Sequence, residues 1–174
     1  MAIDLTLLVL RLVVGGLFIG HGAQKLFGWF GGYGFAGTRG FMGNALRLRP
    51  AGLWTALAGL SEFGGGLLFA VGLLSPLGPL GIIAAMLMAI LLLHWGRLWV
   101  TENGMEYPLV ALTAAAAVAL SGPGAYSLDA ALGIALPAPA TFIAGLVAVL
   151  AGTLTALATR APATSDVTAP GSTT

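Results

Sequence analysis

Residues 53–98 read LWTALAGLSEFGGGLLFAVGLLSPLGPLGIIAAMLMAILLLHWGRL, two long apolar runs broken by Ser75-Pro76-Leu77-Gly78-Pro79. Each run, 53–74 and 77–98, reaches the roughly 20 residues that a helix rising about 1.5 Å per residue needs to cross hydrocarbon. Two prolines and a glycine stop one helix and start the next, so the pair reads as an antiparallel helical hairpin. Neither run alternates with the period of two that a membrane barrel requires. Leu, Ala, Gly and Met dominate instead, as in helices packed closely within lipid.

Three further apolar segments flank the hairpin, at 5–26, 107–120 and 140–159. The segment 107–120 is short, and spanning with it requires local thinning of the bilayer or a contribution from its flanks. The N-terminal run lacks a basic start and a small-residue cleavage site, so it reads as a retained span and not a signal peptide. Of 174 residues, 58% are hydrophobic and 7% charged, with mean hydropathy +0.98. A soluble domain carries about 25% charged residues, so lipid must be the solvent for much of this surface. A net charge of +1 gives no reason to expect a nucleic-acid partner. The absence of Cys excludes disulfides and thiolate metal sites in this chain. The expected fold class is therefore all-α, a polytopic transmembrane helix bundle. Gly31, Gly32, Gly37, Gly40 and Gly43 read as loop punctuation, whereas Gly15, Gly16 and Gly64 to Gly66 read as packing surfaces within spans.

With five spans, Lys25, Arg39, Arg47, Arg49, Arg97 and Arg160 collect on one side and Arg11 alone on the other. The positive-inside rule makes the crowded side cytoplasmic, with the N-terminus outside and the C-terminus in the cytoplasm of a cell with this protein in its inner membrane. Trp29, Trp54, Trp95, Trp99 and Tyr107 fall at the same crossings, where amphipathic rings favour the headgroup level.

Few polar residues interrupt the runs. Glu62 lies about nine residues into its span, roughly 13 Å from the cytoplasmic end. An ionised carboxylate at that depth costs about 2.5–3.5 kcal/mol on insertion scales, so Glu62 must be neutral, paired or in a wet cavity. His21 and Lys25, spaced i, i+4, share a face of the first span. His94 sits at a similar depth near the end of the third, with Glu102 and Glu106 in the loop that follows. His21, Lys25, Glu62 and His94 thus come from three helices into one half of the membrane. Three readings stand beside one another: polar residues that only lock helices, a pocket for a small molecule or redox cofactor, and a proton or ion path. His21, His94 and Glu62 could also ligate a metal, or the two histidines a haem, but no short ligand spacing supports either.

The stretch RLVVGGLFIGHGAQKLFG, Arg11 to Gly28, resembles the first-span signature of the DoxX family. Glu62 before a Gly-rich span ending VGLLSP at Pro76 follows in the expected order, then His94 with Asn103-Gly-Met-Glu106-Tyr, then Gly122-Pro-Gly-Ala-Tyr-Ser127-Leu-Asp129. The resemblance covers about residues 5 to 133. It implies a four-span core, here 1–137, to which 138–159 would add a further transmembrane helix and 160–174 a disordered tail. It also implies a membrane protein of redox systems, such as a thiosulfate:quinone oxidoreductase subunit or a membrane partner of superoxide dismutase and a thiol sulfurtransferase. The cofactor is left open: a quinone-like lipophilic carrier is one candidate for a pocket of His21, Lys25, Glu62, His94 and Glu106, ahead of a haem or a metal. The expected partners are the lipid bilayer and either other subunits or further copies of the chain.

Overall fold

The computed structural model describes residues 1–162, and these fold as helices and turns with no strand among them. In chain order the helices are α1 (Ala2–Leu26), α2 (Gly34–Asn44), α3 (Ala51–Val71), α4 (Leu77–Ala89), α5 (Glu106–Ser121), α6 (Leu128–Leu132) and α7 (Ala138–Ala158). One π turn, Ile90–His94, extends α4. Four of these stretches are long and apolar enough to cross a membrane: Ala2–Leu26, Ala51–Val71, Leu77–His94 and Pro139–Ala158. The chain is the polytopic helical bundle its hydropathy predicts. The tail expected to be disordered falls mostly on 163–174, outside the described residues.

Close backbone approach holds the bundle together. A Cβ on Gly22 of α1 would lie 2.3 Å from the Phe63 nitrogen of α3. One on Gly66 of α3 would lie 2.8 Å from the Ile19 nitrogen of α1, and one on Gly78 of α4 2.5 Å from the Phe69 nitrogen of α3. Lipid tails are as apolar as Leu, so association rests on the dispersion contacts that such proximity brings. α4 is central, packing on α3, α5 and α7. Phe18, Phe69, Ile82, Ile83, Met86, Ala115 and Val118 fill the core between these elements.

α5 has 16 residues, about 24 Å of helix, and is shorter than each of the four candidate spans. Its first turn meets α1 near His21, and the segment after it is fastened at the opposite end. There the Asp129 carboxylate accepts the Leu74 and Ser75 N–H groups, both at 2.8 Å, and Asp4 accepts the Ala125 N–H at 3.0 Å. Arg11 Nη2 donates to the Tyr126 carbonyl. Arg11, the one basic residue assigned to the opposite side by count, is 1% exposed.

Two further differences from the sequence reading have a physical cause. Gly37, Gly40 and Gly43 belong to α2 and not to a loop. Each internal glycine disfavours helix by about 1 kcal/mol, and tertiary contact offsets it: Thr38, Met42 and Gly43 are buried where α2 packs on α1 and α3. Glu106, read as a loop residue, opens α5, and its carboxylate accepts the Val100 N–H at 2.9 Å.

Candidate functional site: an ion pair in an apolar cavity

Glu62 emerges from the middle of α3 and Lys25 from the last turn of α1, and the two form an ion pair. The Glu62 side chain is 8% exposed and that of Lys25 29%, so the carboxylate is the buried partner and the ammonium reaches toward the surface. α1 and α3 touch along their glycines, and this contact brings the residues together although 37 positions separate them. Pairing answers the cost of placing a carboxylate at this depth. Only one of its oxygens is used, however. Oε2 receives Lys25, whereas Oε1 has no hydrogen-bond partner among the described residues and is not sealed from its surroundings.

The pair stands in the wall of a cavity of about 430 Å³ bounded by α2, α3, α4 and α7. Apart from Lys25 and Glu62 the walls are apolar or lightly polar, with Met42, Leu57, Met88 and Leu92 beside the hydroxyls of Thr38, Ser61 and Thr153. Ala58, Ala84, Ala85, Ala89, Ala148 and Gly152 keep the space open because their side chains are too short to fill it. At the same end of the bundle, Arg160 Nε donates to the Leu46 carbonyl at 3.1 Å and the Ala161 N–H to the Arg47 carbonyl at 2.8 Å. These contacts tie the end of α7 to the segment joining α2 and α3.

The remaining candidates lie apart from this cavity. His21 Nε2 is 3.4 Å from the Tyr107 hydroxyl, with the rings 6.1 Å apart at 62°, a contact that ties α1 to α5. His94 Nδ1 donates to the Asn103 carbonyl at 2.7 Å and holds the turn between α4 and α5. Glu106 secures the same turn through Val100. Neither His21, His94 nor Glu106 lines the cavity. Among the described residues no three His, Asp or Glu side chains stand where they could share a metal ion.

Sequence reasoning did not single out Thr38, Ser61 and Thr153, because a hydroxyl in an apolar helix ordinarily bonds the carbonyl a turn back and carries no further signal. It also missed Asp129 as the partner of the α3–α4 turn, since residues 54 and 55 positions apart in sequence meet only once the bundle forms. Trp29, Trp95 and Trp99 are 55%, 69% and 59% exposed at the Lys25 end, as a belt of interfacial rings requires.

Compared with known proteins, a family model described as DoxX matches residues 6–95, a little over half of the chain. The match runs from α1 to the end of α4 and so includes His21, Lys25, Glu62 and His94, whereas α5 and α7 lie beyond it. No curated protein and no solved structure matches.

Proposed function

Because the chain belongs to the DoxX family, we propose that it is an integral subunit of a membrane redox system and holds a quinone-like lipophilic carrier in its cavity. One observation carries this reading: a half-satisfied ion pair set into the wall of an otherwise apolar cavity of about 430 Å³. An apolar chamber with a few convergent polar groups is the usual form of a site for a lipophilic molecule. Quinone reduction and quinol oxidation move protons with electrons, and Glu62 and Lys25 are groups that can exchange them. His21, on the same helix as Lys25, would hold α1 against α5 through Tyr107, while His94 and Glu106 would shape the turn between α4 and α5. The described residues form no extramembrane domain, so the electron donor or acceptor would be bound by a partner subunit. The gathering of Lys25, the arginines and the tryptophans at one end supports a C-terminus in the cytoplasm and a protein of the inner membrane.

The second reading is a scaffold, favoured by a specific observation: Lys25–Glu62 ties α1 to α3 and His21–Tyr107 ties α1 to α5, which polar residues that merely lock helices would also do. Lipid extracts of the protein purified in mild detergent separate the two. Stoichiometric carrier in the wild type, quinone and quinol counted together, depleted by Glu62→Gln in a protein that still folds, supports the carrier site. A wild-type protein free of quinone that also fails to bind an added short-tailed quinone would leave the scaffold.

A further inference from the structure

The polar groups of the cavity are not balanced between donors and acceptors. Thr38 Oγ1 donates to the Lys25 carbonyl at 3.4 Å, Ser61 Oγ to Ala58 at 3.0 Å and Thr153 Oγ1 to Val149 at 2.8 Å. A hydroxyl has one proton, so each of these presents only lone pairs to a ligand. Trp54 also lines the cavity, and its indole N–H is committed to the Arg49 carbonyl at 3.2 Å. Glu62, paired as a carboxylate, is an acceptor with Oε1 free. Of the lining side chains only the Lys25 ammonium keeps uncommitted donors, and it is already drawn to Glu62.

We infer that the cavity selects the reduced, hydroxyl-bearing form of its ligand, a lipophilic hydroquinone, over the carbonyl-bearing quinone. This rests on the reading of the cavity as a carrier site. A hydroquinone brings two O–H donors to a wall of acceptors, and one of them can make a charge-assisted bond to Glu62 Oε1. A quinone brings two carbonyl acceptors to the same lone pairs and must compete with Glu62 for Lys25. Both forms share ring size and tail, so their apolar burial cancels and the hydrogen-bond mismatch decides.

The test uses the full-length protein in mild detergent under anaerobic conditions, titrated calorimetrically with a short-tailed ubiquinone and with its quinol. Quinol should bind roughly ten- to a hundredfold more tightly, the weight of one charge-assisted hydrogen bond. A tenfold preference would raise the midpoint potential of the bound couple by about 30 mV. Glu62→Gln, whose amide presents donors as well as an acceptor, should bring the two affinities within about threefold. Equal affinities in the wild type or tighter quinone would overturn the selectivity, and a preference that survives Glu62→Gln in a folded protein would overturn its origin in Glu62; each leaves the carrier reading intact. Binding of neither form would overturn both.

Discussion

A double-substitution cycle on Lys25 and Glu62 probes the ion pair directly, and the two exposures set its expected asymmetry. Lys25→Met removes the one partner, among the described residues, of a carboxylate whose side chain is 8% exposed. The stranded charge, or the proton it must take up to become neutral, should cost about 2.5–3.5 kcal/mol, the range for a charge at a membrane centre. Glu62→Gln is milder. The Lys25 side chain is 29% exposed and can extend its ammonium toward the headgroups on its apolar stem. The amide oxygen still accepts from it, so the loss should be about 1 kcal/mol. In the double variant no charge remains, only a buried amide short of one partner, at about 1–2 kcal/mol. The doubly substituted protein should therefore be about 2.5 kcal/mol more stable than the sum of the single losses predicts. Thermal and SDS-induced unfolding in one detergent, followed by circular dichroism, measures all four proteins. Losses that add within about 0.5 kcal/mol would mean that the residues are uncoupled. A greater loss for Glu62→Gln than for Lys25→Met would reverse the assignment of the buried partner. Either result refutes the reasoning.

The glycine contacts predict that Gly22→Ala, whose Cβ would stand 2.3 Å from the Phe63 nitrogen, forces α1 from α3 and lowers stability by about 1–3 kcal/mol; Gly16→Ala, with no atom within 4 Å of its Cβ, should be neutral in the same unfolding assay. Asp129→Ala strips two N–H groups of the α3–α4 turn of their acceptor and should destabilise by about 2–4 kcal/mol. Because Asp129 sits at the opposite end from the cavity, quinone content in the folded fraction should stay at the wild-type level. For topology, a reporter that fluoresces only in the cytoplasm should be bright when fused to the C-terminus, and a dark fusion would remove one crossing, with the short α5 the first candidate.

The spans and the hairpin were legible in the sequence because the signal is local and additive: twenty apolar residues cross hydrocarbon whatever their neighbours, and Pro76 with Pro79 end one helix and begin another. The anomaly of Glu62 was legible for the same reason, since depth along a helix follows from residue count. The identity of its partner was not. Each residue turns a helix by about 100°, so the rotation that directs Lys25 to Glu62 and His21 to Tyr107 depends on how the glycines of α1 and α3 interlock. The same holds for Arg11, a topology charge by count and a buried clamp by packing, and for α2, a helix that four glycines disfavour and neighbouring helices impose. The cavity is the clearest case. Its walls come from α2, α3, α4 and α7, and no segment of sequence records the space left where short side chains of separate helices face one another. Hydropathy and length determined what enters the membrane; close packing, a property of pairs of surfaces, decided which residues meet inside it.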